Sequence, residues 1–248
     1  MSFIQEQRQF LKSNFNSSKT PTTSDQVKGV KAPPLQAPPK DGHLIIDLPR
    51  VKEHTPYEID VYKLLTERRS LRKYSSQAMK IEELSFILET SCMIQKILGD
   101  NIASFRPAPS GGARHPFETF LSIQRVEGIP EGYYRYLPLT HQLEQLCEAL
   151  NTNTVIASVN GQSFAGDANV VFYLAVVPYR AEWRYVEKSH KVILLDLGHV
   201  AQNICLSAEI VGAGACPIAS YDQNLADDLF ELDGEEAYVT YVLPVGKK

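Results

Sequence analysis

Three short stretches carry residue types that can bind or position a ligand. The first is Arg68-Arg69-Ser70-Leu71-Arg72, which sets three guanidinium groups and a hydroxyl within five residues. Guanidinium forks match phosphate oxygens and stay charged at physiological pH. The plain alternative is a basic helix end that compensates the helix dipole. The second stretch runs from Arg106 through Pro107, Pro109, Ser110, Gly111 and Gly112 to Pro116. Its prolines fix the approach. Ser110 and the two glycines then form a loop of small residues whose open N–H groups allow a planar ligand close to the backbone. A simple turn between helix and strand is the other reading. The third is Cys216-Pro217-Ile218-Ala219-Ser220, where small side chains again leave the main chain accessible.

Several chemistries are excluded by what is missing. The chain has no GxGxxG dinucleotide fingerprint, no GxxxxGK[ST] phosphate loop and no GxSxG nucleophile elbow. The six histidines do not pair at metal-ligand spacing and no HExxH occurs, so no metal is expected. A net charge of −4 does not point to nucleic acid. No apolar run reaches the ~20 residues of a membrane span, and the N-terminus lacks the apolar core of a signal peptide. Cys92, Cys147, Cys205 and Cys216 form no CxxC pair and read as buried thiols of a reducing compartment. A cytoplasmic protein is expected.

The elements that must hold these stretches are legible as periodicity. Residues 1–55 are rich in Pro, Ser, Thr and Lys and cannot build a core of their own. They are either a disordered leader or an arm that wraps the body or a partner subunit, with a short helix between Phe3 and Phe15. The body occupies residues 56–248. Ile59, Tyr62 and Leu65 space as a helix ending at the arginines, and Ser75 or Ser76 can cap the next one. Phe117 to Val126, Tyr133 to Leu137, Asn169 to Val177, Ala215 to Ser220 and Tyr238 to Val245 read as strands. His141 to Asn151 and Asn224 to Phe230 read as helices. Val192 to Val211 is the clearest helix, apolar on most sides, with Leu194, Leu197, Ala201, Ile204, Ala208 and Val211 at steps of three and four. The order is no clean βαβ alternation, so an α+β fold is expected, with a central mixed or antiparallel sheet flanked by helices.

Taken in order, the RRS-x-R element, the PSGGARHP loop and the helix DLGHVAQNICLSAEIVGAGACPI resemble the nitroreductase-like flavoprotein superfamily. The tyrosine-rich GYYRYLPLTHQLEQL, the leader RQFLKSN and the ending YVLPVGKK resemble its SagB-type branch. The resemblance implies an FMN-dependent oxidoreductase, a homodimer with the flavin at its interface, and a small-molecule or peptide substrate, with a nicotinamide as a candidate reductant. It implies that Arg68, Arg69, Ser70 and Arg72 bind the FMN, and that Pro109, Ser110, Gly111 and Gly112 reach the flavin of the other subunit. Pro217, Ile218, Ala219 and Ser220 match the segment along the flavin's reactive edge. Lys247 or Lys248 is a further candidate phosphate contact. Many relatives have Glu-Gly where this chain has Ala219-Ser220; a backbone donor survives that change, a carboxylate does not. SagB-type azoline oxidases carry a Lys-Tyr pair upstream of the core helix. Here Arg184-Tyr185 stands there, leaving Tyr185 as the candidate proton-transfer residue, because arginine holds its proton at neutral pH. Azoline oxidation on a peptide and a degenerate partner subunit of a peptide-modifying complex are the alternative readings.

Overall fold

The computed structural model describes residues 3–13, 23–51 and 57–248. Val170–Val176 is buried at every position and is β-branched or aromatic at most of them, as a strand covered on both faces requires. Calling it β7 in chain order, the strands before it are β1 (Ile45–Asp47), β2 (Lys96–Leu98), β3 (Ala103–Phe105), β4 (Phe117–Ile123), β5 (Gly132–Leu137) and β6 (Gln142–Cys147). β8 (Ala213–Ala215) and β9 (Tyr238–Lys247) follow. A seven-stranded sheet runs β1-β6-β5-β4-β7-β9-β8, antiparallel at each pairing. β2 and β3 form a separate hairpin. The helices are α1 (Phe3–Phe10), α2 (Val61–Glu67), α3 (Ile81–Ser91), α4 (Thr152–Ser158), α5 (Tyr179–Tyr185), α6 (Ser189–Ile210) and α7 (Gln223–Asp228). The α+β architecture is the one expected.

Each sheet face has its own core. On one side α3 and α6 pack through Leu84, Ile87, Ile204 and Ala208 onto Leu121, Phe172 and Leu174. On the other, Val155, Ala226 and Phe230 cover Phe120, Tyr173 and Val242. α6 stops where Gly212 turns to φ +69°, a conformation costly for any residue with a Cβ. Described residues of the arm lie against the body. The Trp183 indole donates to the Val30 carbonyl, Gln26 N–H donates to the Trp183 carbonyl, and Ile45–Asp47 adds an edge strand to β6. Of the expected helix between Phe3 and Phe15, Phe3–Phe10 is helical, and residues 14 and 15 lie outside the described residues.

Five expectations are corrected. His141 to Asn151 is not a helix: Gln142–Cys147 is β6, paired on one side with β5 and on the other with the arm. Ser75 and Ser76 do not cap α3. Met79 is first tied to Arg125 and Glu127 by backbone bonds, so the helix starts only after Lys80, whose N–H donates to Glu83. The strand after α6 is Ala213–Ala215 and not Ala215 to Ser220; beyond it only Ile218 makes an isolated bridge, to Val242. Cys147 is exposed on the outer part of β6, unlike the other three thiols, and Leu194 of α6 is 51% exposed. Among the described residues no helix is long and apolar enough to cross a membrane.

Candidate functional site

α2 is capped by Asp60, which accepts from Lys63 N–H at 3.0 Å, and ends at Arg68, where the chain turns extended. From there residues 68–75 run along the β8–β9 edge. Leu71 N–H donates to the Ala215 carbonyl at 3.1 Å and Ser75 N–H to the Lys247 carbonyl at 2.9 Å. The Tyr74 hydroxyl donates toward the carbonyls of Leu71 (2.9 Å) and Pro244 (3.1 Å). Two glycines make this approach possible. A Cβ on Gly214 would stand 2.7 Å from Leu71, and one on Gly246 would stand 2.6 Å from the Tyr74 ring.

The sequence singled out four residues here, and the structure divides them. Arg69 donates to the carbonyls of Thr66 (2.9 Å) and Arg68 (2.8 Å), closing the C-terminus of its own helix. The side chains of Arg68, Ser70 and Arg72 make no hydrogen bond or ion pair with a described residue. Behind them stand Cys205 and Cys216. Burial pushes the Cys205 thiol up to about 11, with the Arg68 charge pulling the other way. Burial also raises Cys216, opposed by Arg72. Both are inert neutral thiols at physiological pH.

Next to this element the chain leaves β8 alongside β9. Cys216 N–H donates to the Pro244 carbonyl (3.1 Å) and Ile218 N–H to that of Val242 (2.7 Å). Ile218 is therefore spent as a donor, and its side chain belongs to the second core. Ala219 and Ser220 are exposed, and their N–H groups make no bond with a described residue. Asn160 and Gln162 steady this turn by donating to the Ser220 hydroxyl (3.3 Å) and carbonyl (3.0 Å).

The Ser110–Gly112 loop lies elsewhere, against the first half of α6. The Ser110 hydroxyl donates to Asp196 Oδ2 at 2.6 Å and Gly111 N–H to Oδ1 at 3.0 Å. The Gly111 N–H was expected to be open and is not; the Ser110 and Gly112 N–H groups make no bond with a described residue. Gly112 sits at φ +60° under Arg184 and Tyr185, where a Cβ would be 2.7 Å from the Tyr185 hydroxyl. The buried Arg114 holds the loop's far side, donating to the carbonyls of Arg180 (2.7 Å) and Asn101 (2.8 Å) and lying 4.7 Å over the Trp183 ring. Pro109 is exposed at the loop's start. Asp196 escaped the sequence reading. Its signal was a carboxylate set between Leu195 and Leu197 in the most apolar stretch of the helix.

Lys247 does not join either group. Its ammonium is buried, donating to Glu83 (2.7 Å) and the Val211 carbonyl (2.8 Å), which makes it a strut between β9, α3 and α6. Lys248 pairs with Glu209 beside Arg68, on the rim of a cavity of about 550 Å³.

The candidate residues thus form two clusters. Arg68, Ser70 and Arg72, beside β8 and β9, offer guanidinium groups suited to an anionic group, and Ala219 and Ser220, further along the chain that leaves β8, offer open N–H groups suited to ring acceptors. The Ser110–Gly112 loop and Tyr185 lie toward the other end of α6, and from Asp196 to Glu209 that helix climbs about 20 Å at roughly 1.5 Å per residue. Between and around them the chain exposes Val61, Tyr62 and Leu65 of α2 and Leu194 and Leu195 of α6.

The chain is similar to a nitroreductase homologue of Methanocaldococcus jannaschii, 28% identical over 203 residues that cover 82% of this chain and 96% of the relative. It is similar to the microcin B17-processing protein McbC of Escherichia coli, 28% identical over 134 residues, 52% of this chain and 49% of that protein. Its fold matches the solved structure of a nitroreductase homologue from Ralstonia eutropha at a TM-score of 0.67 and 21% identity, over 88% of this chain and 96% of the other. The Nitroreductase family profile matches residues 65–247, from the end of α2 through β9 and across both clusters, and the chain belongs to that family.

Proposed function

We propose that the chain is an FMN-dependent oxidoreductase acting as a homodimer. Each flavin would rest with its phosphate on Arg68 and Arg72 of one subunit and its ring edge against Ala219 and Ser220 of the same subunit. The Ser110–Gly112 loop and Tyr185 would come from the partner subunit. The observation that carries this reading is the state of Arg68 and Arg72: two guanidinium groups without a partner among the described residues, on the segment that pairs with β8, from which the chain runs on to the open N–H groups of Ala219 and Ser220. Charged donors of that kind suit a phosphate. Arg69 takes a supporting part, since its hydrogens already serve the end of α2. Bound FMN would supply the two-electron chemistry, and the protein binds it, orients it and shapes access to its face.

The dimer rests on two observations. The clusters lie far apart along α6 within one chain, and large apolar residues of α2 and α6 are exposed between them. Large apolar side chains exposed on two neighbouring helices suit a partner surface. A two-fold contact through it brings one subunit's loop to the other's arginines and makes two equivalent sites. Such an interface would bury roughly 2,000 Å² or more.

Tyr185 sits at the loop's outer side, where its hydroxyl can reach a substrate lying on the partner's flavin as proton donor or acceptor. Arg184 would contribute charge alone. A small molecule, with a nicotinamide as reductant, is the first substrate reading. A peptide is the second, favoured by the likeness to a microcin-processing protein. The cytoplasm is the compartment that suits three buried unpaired thiols.

The test is direct. Cofactor released by heat from the purified protein should run as FMN on a column; an FAD peak overturns the assignment. An Arg68→Ala, Arg72→Ala double variant should lose about 1.5–3 kcal/mol of FMN binding for each charge-assisted contact removed, roughly a hundredfold or greater rise in Kd for the pair. Unchanged affinity sinks the phosphate site.

A further inference from the structure

On the sheet face opposite α6 lies a cavity of about 310 Å³ that shares no residue with the proposed flavin site. Its roof is the arm at Ala37–His43, its floor is β4, β5 and β6, and its far wall is the turn after α7. The floor holds an ion pair. Glu144 is fully buried and accepts from Arg135 Nε (2.8 Å), the Lys40 N–H (2.7 Å) and His43 Nδ1 (3.0 Å). Arg135 is 8% exposed and spends Nε and Nη2 on Glu144, with Nη2 also donating to the Pro38 carbonyl at 2.8 Å. Its Nη1 hydrogens have no partner among the described residues and are not sealed in the interior. Arg135 lines the cavity. So do the apolar side chains of Phe120, Leu146, Leu229, Phe230 and Leu232. The mouth is crossed by Lys40 and Glu231 at 2.8 Å, both exposed, a pair of small stability that opens readily.

We propose that this slot binds a carboxylate carried on a compact aromatic or branched aliphatic group. The carboxylate would sit on Arg135 Nη1, with Lys40 swung from Glu231 as a second contact, and the apolar group would lie against Phe120 and Phe230. Three features select that chemistry. A largely buried guanidinium edge is donor-only and needs an acceptor. Glu144 already places one negative charge on the floor, so a singly charged group is tolerated where a dianion is repelled. The volume and the apolar wall fit a small ligand fixed by a few polar groups. A free organic acid and the C-terminal residue of a peptide share this chemistry.

Cys147 provides the readout. It lines the cavity and is exposed, whereas Cys92, Cys205 and Cys216 are buried. The rate of Cys147 alkylation by iodoacetamide is measured on the full chain with 3-phenylpropionate, N-acetylphenylalanine, and the amide of each. An acid at about ten times its Kd should slow labelling about tenfold, because only the empty fraction reacts. The amides should have no effect at the same concentration. Protection by phenylpropionate alone assigns the slot to free acids, and protection by acetylphenylalanine alone assigns it to peptide termini. No protection by either acid, or equal protection by the amides, overturns the proposal. A crystal soaked with 3-(4-bromophenyl)propionate adds a readout independent of any variant. The bromine peak should lie by Phe230, and a peak only elsewhere refutes the site.

Discussion

Replacing Asp196 by alanine should free the Ser110–Gly112 loop from α6, and its cost can be worked out from the contacts. The Asp196 carboxylate is 4% exposed and takes the Ser110 hydroxyl at 2.6 Å and Gly111 N–H at 3.0 Å. Orphaning a buried donor costs ~1–3 kcal/mol, so two donors give about 2–6 kcal/mol. Relief of a buried charge works against that, since burial holds the Asp196 pKa above its ordinary value despite both hydrogen bonds. A net loss of about 2–3 kcal/mol is expected, read as a lower urea midpoint at unchanged slope. Asparagine keeps one acceptor and carries no charge, so Asp196→Asn should cost about 1 kcal/mol. The pH dependence has a definite sign. A carboxyl whose folded pKa is raised gives its stability in full below the unfolded pKa, near 3.9, and loses it as pH rises through the folded value. Wild type has this loss and the asparagine variant does not. The stability gap between them should therefore narrow as the pH climbs from about 4 to neutrality. An alanine variant as stable as wild type, or a gap that widens with pH, would refute the reasoning.

Gly246→Ala should strain the approach of residues 68–75 to β9, because its Cβ would stand 2.6 Å from the Tyr74 ring. Overpacking of this kind costs ~1–3 kcal/mol, visible as a lower Tm, and should weaken FMN binding with it. Native alkylation followed by mass spectrometry should add a single adduct, at Cys147, because burial holds the other thiols protonated and covered. Further adducts before unfolding would contradict that. Leu65→Glu combined with Leu195→Glu should yield a folded monomer by light scattering that no longer retains flavin; a dimer at micromolar concentration would remove α2 and α6 from the interface.

How much of this could be read from the chain depends on where each signal came from. β7 and α6 were legible because every residue of β7 and one broad side of α6 are buried, so burial is written into the local sequence. β6 was not. Leu143 and Leu146 stand three apart and imitate a helix face, yet they go to opposite faces of the sheet, Leu143 into one core and Leu146 against the other. What makes the segment a strand is pairing with β5 and with an arm almost a hundred residues earlier, and strand preference follows such context. Arg68 and Arg72 were legible as a charge cluster, but the diversion of Arg69 to its own helix end depends on where α2 stops. Asp196 was hidden because a carboxylate in an apolar helix gains meaning only when the loop from Ser110 reaches it. Lys247 looked available as a terminal cation and is instead buried on Glu83. Cys147 looked like its three fellows because an outer strand position and a core position can share the same neighbours in sequence.

The central claim, that each flavin site is built from two subunits, is tested most directly by complementation. One chain carries Arg68→Ala and Arg72→Ala, and a second carries Gly112→Trp, which cannot fit beneath Tyr185. Each homodimer has both sites broken and should fail to bind FMN. A heterodimer isolated by two different tags would contain one doubly damaged site and one intact site, so it should bind one FMN per dimer with wild-type affinity. A heterodimer that binds none would mean that the arginines and the loop serve the flavin from the same chain, which contradicts a site shared between subunits.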